Sequence, residues 1–173
     1  MSAIQALIQE LEQEAATTRR VLERVPDAHL AWRPHAKSMS MGQLSLHIAS
    51  TPGNVAEMSR RSPFEMPDFT QPAAATNAEL LRTHDESVAR AREILSGMSD
   101  SDLGQPWRVV AGGKEVMTMP VGAVLRTIML NHWYHHRGQL SVYLREVGVP
   151  LPSIYGPSAD ENPFAAREAV ATA

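Results

Sequence analysis

Three of the chain's seven histidines fall in the stretch NHWYHHRGQL, from Asn131 to Leu140. Two of them, His132 and His136, stand four residues apart. On a helix that spacing stacks both imidazoles on one face, with about 5–6 Å between their Cβ atoms. One divalent cation can bridge such a gap, and neutral imidazole is the commonest metal-ligating side chain. Two ligands rarely suffice. The best third candidate is His47, far back in the chain inside another apolar-periodic segment, MGQLSLHIAS.

A lone inward histidine is more often a satisfied core residue than a ligand. An H-x-x-x-H pair on an inward stripe is a stronger signal, because it buries two polar rings that need partners. The spacing matches the H-E-x-x-H of metalloproteases only superficially, since residue 133 is tryptophan and the glutamate base is missing. His84 also takes an apolar-face slot, as a fourth ligand or, more plainly, as a buried histidine satisfied by a neighbour. His29 and His35 lie in an aperiodic connector and are not expected to bind metal.

Composition narrows the field. At 173 residues, 43% apolar and 20% charged, the chain reads as one globular domain large enough to bury a core without staples. A net charge of −3 gives no positive field for a nucleic-acid backbone. With no cysteine, disulfides and thiolate metal sites are excluded, and any catalytic thiol must come from a co-substrate. No apolar run approaches the ~20 residues of a membrane span, and the N-terminus is not signal-like. The expectation is a cytoplasmic protein with no membrane partner.

The elements that must position these histidines are helical. Ile4, Leu7, Ile8, Leu11, Ala15, Leu22 and Val25, with Thr18 in the gap, describe one stripe, capped by Ser2 and stopped by Pro26. Asp27 to Ser38 is a connector whose Trp32 packs over the bundle end. A second helix starts near Ser40 and carries Leu44, His47, Ile48, Val55 and Met58 inward. Pro52 should kink or loosen it one turn past His47. Ser62 to Ala75 reads as a long proline-rich surface loop. The capping box Thr76-Asn77-Ala78-Glu79 opens a third helix, which ends near Gly97. Trp107 to Met119 forms a small hairpin about Gly112-Gly113. From Pro120 a fourth helix runs to about Val147, where Gly148 stops it. Its inward stripe is Val121, Val124, Leu125, Ile128, His132, His136 and Tyr143. The fold class is all-α: a four-helix bundle with a small β-hairpin insertion between the third and fourth helices, residues 1–161, followed by a tail over 162–173. Trp133, Leu140 and Leu144 fall off the histidine stripe. Apolar residues on two sides of one helix predict a second buried contact, supplied by a homodimer or by the hairpin and proline-rich loop.

Three stretches together resemble a known family: GQLSLHIA with its histidine, NHWYHHRGQLSVYLREVGVP, and the tail IYGPSADE. Over roughly residues 3–161 the sequence is similar to the DinB/YfiT-like superfamily. The resemblance implies a four-helix bundle with a divalent ion held by His47, His132 and His136; for such a histidine set Zn²⁺ or Ni²⁺ is the expected ion. His135 falls outside that triad, about 100° from His136 around the helix. The resemblance further implies a homodimer, and an enzyme acting on a small molecule, either a low-molecular-weight-thiol-dependent S-transferase or a hydrolase.

Three neutral histidines leave a tetrahedral ion one open position, the catalytic pattern. A water there would be acidified to a pKa of ~7, or a thiolate could take its place. Arg137 and Gln139 neighbour the ligands in sequence; a structural salt bridge is the plainer role for Arg137. Tyr143, two turns beyond His136, could line a pocket wall. No general base stands out beside the triad. A non-catalytic metal or small-ligand binding protein is therefore the alternative function.

Overall fold

Two of the described helices open on a capping box. The Ser2 hydroxyl accepts from the Gln5 N–H and the Gln5 side chain accepts from the Ser2 N–H, which opens α1 (Ala3–Leu22). Asp100 adds its carboxylate to the same end, accepting from the N–H groups of Ala3 and Ile4. Those two bonds hold its pKa below the usual carboxylate value. Ser40 and Gln43 repeat the box at α2 (Met41–Ser59). At α3 (Asn77–Ser96) Thr76 caps Glu79, but Glu79 turns back to the N–H of Ala75 rather than to that of Thr76.

The computed structural model describes residues 1–67 and 70–165. The expected tail over 162–173 lies outside them from residue 166 onward. The described chain is four helices and a small three-stranded sheet. No described helix is long and apolar enough to cross a membrane.

The fourth helix, residues 121–146, is not the single regular helix that its periodicity suggests. An α turn, α4 (Val121–Val124), leads into a π segment over Leu125–Asn131, and α5 (His132–Glu146) follows. Wider π turns add a residue to the helix and rotate what comes after. The buried positions therefore pass from Val121, Val124 and Leu125 to Met129, Leu130, Trp133, Arg137, Leu140 and Leu144. His132 and His136 are left half-buried on the flank. This corrects the expected stripe and removes the premise for a second contact surface. Trp133, Leu140 and Leu144 are each 0% exposed within the single chain. A Schellman turn ends α5: Gly148 takes φ +76°, its N–H donates to Arg145 O, and that of Val149 to Leu144 O.

α2 runs through Pro52 as one helix from Met41 to Ser59. The carbonyl that Pro52 leaves free, that of Ile48, receives the indole N–H of Trp133 at 2.9 Å. One residue on, the Gly53 N–H donates to Ser87 Oγ of α3 at 2.8 Å. The two helices are so close here that a Cβ at residue 53 would lie 2.9 Å from the Ser87 carbonyl oxygen.

The expected hairpin forms from β2 (Pro106–Ala111) and β3 (Lys114–Pro120), with Trp107 opposite Met119 and a bulge between Val109 and Val110. Gly112 and Gly113 both have positive φ, as the two-residue turn requires. The proline-rich stretch is more than a loop, because β1 (Phe64–Glu65) pairs parallel with β2. Trp107 anchors the sheet to the bundle. It is 2% exposed, stacks on Phe64, and donates its indole N–H to Met58 O near the end of α2.

Candidate metal centre

α2 brings His47 against the beginning of α5, where His132 and His136 lie one turn apart. The Nε2 atoms of His47 and His132 are 2.8 Å apart. The ring centroid of His136 lies 4.7 Å from that of His47 and 4.3 Å from that of His132. One nitrogen from each of the three rings falls within 4.8 Å of the others. Among the described residues this is the one histidine or carboxylate group so arranged.

All three rings are half-buried. Burial disfavours the imidazolium form and pushes His47 down to about 4, helped by the charges His136 and His132 would carry. Burial lowers His132 and His136 as well, the Gln139 hydrogen bond opposing the shift at His136. At neutral pH all three offer the uncharged ring that ligation requires. Gln139, one turn on from His136, places its Oε1 2.6 Å from His136 Nδ1. The proton is thereby held on Nδ1, and the Nε2 lone pair is left for a ligand. Three neutral imidazoles with a hydrogen-bonded outer partner are a donor set that suits a borderline divalent ion.

The remaining candidates separate from this group. His84 is 2% exposed and stacks on Trp133, with ring centroids 6.1 Å apart. Its Nδ1 meets Asp85 at 3.0 Å, and Arg19 holds that carboxylate from α1. It is therefore a core histidine satisfied on one side, and it does not join the triad. His135 is exposed, and its ring centroid lies 5.0 Å from that of His136. The ring of Tyr143 stands edge-on to Trp32, and its hydroxyl donates to Met39 O, so it braces the connector before α2.

Arg137 has the structural role, and its partner is a residue that sequence reasoning passed over. Its guanidinium is 1% exposed and lies 2.7 Å from the Glu14 carboxylate, with Thr18 Oγ1 at 3.0 Å. The Tyr155 hydroxyl donates to the same carboxylate and ties the C-terminal segment to α1. A signal existed. Glu14 stands three residues after Leu11 and four before Thr18, on the inward face, where a charge demands a buried partner. Gln139 is already marked by the sequence as a neighbour of the ligands, and its helical spacing of three from His136 carries the signal for their hydrogen bond.

Comparison with known proteins gives the chain its relatives. The sequence model described as the DinB family matches residues 1–167. The uncharacterized protein YrdA of Bacillus subtilis is 27% identical over 155 residues, covering 87% of this chain and 86% of its own. The uncharacterized protein YjoA of the same organism is 27% identical over 136 residues, covering 76% and 82%. Among solved structures, a DinB-like protein from Bacillus cereus superposes with a TM-score of 0.70 at 20% identity, over 87% of this chain and 97% of the other. The structure of YjoA superposes at 0.64 and 20% identity, over 86% and 97%.

Proposed function

The chain belongs to the DinB family, and from that premise we propose a divalent-metal-dependent enzyme that acts on a small molecule at His47, His132 and His136. The observation that carries the reading is the convergence of three neutral imidazoles from two helices within 4.8 Å. Zn²⁺ or Ni²⁺ is the proposed ion, since nitrogen-only donor sets favour such metals. When bound, the ion supplies a Lewis-acid centre with a position open to a substrate or a thiol. The chain's own contribution is orientation and protonation state. Gln139 fixes the His136 tautomer, and burial keeps all three rings uncharged.

The proposed chemistry is S-transfer with a low-molecular-weight thiol or hydrolysis, and the absence of cysteine fits a thiol brought in from outside. A homodimer and a cytoplasmic location complete the proposal, both drawn from the resemblance and composition rather than from an observed surface.

One observation favours a second reading, in which the protein binds a metal or small ligand without catalysis. The inward carboxylates beside α5 are already engaged: Glu10 by Arg126 and Tyr134, Glu14 by Arg137 and Tyr155. Neither is free to serve as a general base. Elemental analysis of the purified protein tests the metal. His47→Ala, His132→Ala and His136→Ala are each expected to abolish stoichiometric ion, while His29→Ala and His35→Ala leave it. A full equivalent retained in the triple alanine variant would place the site elsewhere. Turnover of candidate electrophiles that requires added thiol then separates the enzyme from the binding protein.

A further inference from the structure

Pro52 has no N–H to offer the carbonyl four residues before it. That carbonyl belongs to Ile48, the residue after His47, and both Ile48 and Pro52 are buried. Its donor comes from a different helix, the indole of Trp133 at 2.9 Å, and Trp133 is the residue after His132. A buried hydrogen bond thus joins the two positions that directly follow two of the three clustered histidines.

Apart from the 2.8 Å approach of His47 Nε2 to His132 Nε2 within the site itself, the other bonds around this point hold α2 to itself or to α3. Thr51 Oγ1 donates to His47 O at 2.6 Å, and Ser87 Oγ accepts from the Gly53 N–H and donates to Ser50 O. None of them reaches α5. The π segment ends at Asn131, one residue before His132, so α5 does not inherit its height and rotation from a plain α ladder. Trp133 itself has no room to shift. It is 0% exposed, and its ring lies against the buried ring of His84 with 27° between their planes.

We propose that Trp133 is a positioning residue for the metal centre. Its indole N–H, seated on the carbonyl that Pro52 leaves free, sets the height and separation of α5 against α2, so that His47 meets His132 and His136. The proposal rests on the reading that these histidines hold a divalent ion. A purely structural role, satisfying one buried carbonyl, is separable from it because Pro52 is the reason that the carbonyl is free. Alanine at residue 52 restores an N–H that satisfies Ile48 from within α2, and an intrahelical bond ties nothing to α5.

The experiment uses Co²⁺ as the probe, read by its visible absorption, on full-length wild type, W133F and the double variant W133F/P52A. Thermal unfolding of each is measured without metal. W133F is expected to weaken Co²⁺ binding at least about tenfold, the usual scale for losing a group that orients a ligand, and to lower the metal-free Tm. The double variant is expected to regain Tm while its Co²⁺ affinity stays weak. Should affinity recover together with Tm, or should W133F bind Co²⁺ as tightly as wild type, the tether is overturned and the metal reading survives. A wild-type protein that takes up no Co²⁺ overturns both. If W133F does not fold, 3-benzothienyl-alanine at position 133 carries the comparison with wild type. It keeps the fused bicycle and replaces the N–H by sulfur, so the same tenfold loss is expected and unchanged affinity overturns the tether.

Discussion

At the scale of single residues, two buried polar groups away from the histidine triad have consequences that can be measured. Arg137 and Glu14 form an ion pair with 1% and 9% side-chain exposure. Removing one partner strands a charge in the core, which typically costs about 3–5 kcal/mol, whereas replacing both by apolar groups of similar volume is often neutral or stabilising. Arg137→Met is therefore expected to lose stability of that order in urea unfolding, and Glu14→Met/Arg137→Met to recover most of it. A double variant no more stable than the single one would mean that Tyr155 and Thr18, not the ion pair, dominate the site. His84 makes a prediction in pH. Burial lowers its pKa from the ordinary 6.5, and Asp85 only partly opposes the shift. The unfolded chain thus takes up a proton that the folded chain refuses. Stability from this group is complete above pH 6.5 and declines as pH falls below it, until the folded group itself titrates. The three clustered histidines shift in the same direction, so metal-free protein should lose stability between pH 7 and pH 5. His84→Gln should lose less over that interval, and an equal loss would show that His84 is not held neutral.

At the scale of elements, what could be read from the sequence is what local chemistry decides. The α1 stripe, the caps at Ser2 and Ser40, the Gly112-Gly113 turn and the Gly148 stop each depend on a few neighbouring residues, and the structure has them where they were expected. The misses share a different origin. β1 is two residues that borrow hydrogen bonds from a hairpin far along the chain. Pro52 was expected to kink or loosen α2, and the donor for the carbonyl it frees comes from Trp133, which no local pattern reveals. The π segment is set by packing on both sides of it, so an α periodicity placed His132 and His136 on the core stripe and Trp133 outside it. This leads to an unusual deletion. Removing a residue from a regular helix turns everything beyond it by about 100°. Within Leu125–Asn131 a deletion instead lets the wide turns close to α geometry, with the flanking stripes still facing inward. Deleting exposed Thr127 is therefore expected to leave helical circular dichroism and metal stoichiometry intact. Deleting Gly138, inside α5, should destroy both. Equal damage from the two deletions would mean that the π turns carry no removable residue.

At the scale of the whole molecule, the candidate site is laid on a bundle that has its own reasons to fold. Leu11, Leu44, Ile48, Leu80, Leu95, Leu125, Trp133, Leu140 and Leu144 are each 0% exposed, and they come from all four helices. The three clustered histidines are half-buried at the flank of this core rather than at its centre. A zinc finger unfolds without its ion because it has too little apolar surface to bury, a condition that a core of this size does not meet. The ion should instead act as a ligand of an already folded state. It then stabilises by mass action, about 2.7 kcal/mol at a free concentration 100 times its Kd. For a domain of this length that amounts to a Tm rise of roughly 5–10 °C. Adding a chelator to metal-loaded protein should therefore lower Tm by that order and leave the helical circular-dichroism spectrum at 25 °C nearly unchanged. Reloading with Zn²⁺ should restore the Tm, and His136→Ala should show neither change. Loss of most helical signal on chelation would make the ion a folding element. The open coordination position that the enzymatic reading needs would then lose its main support.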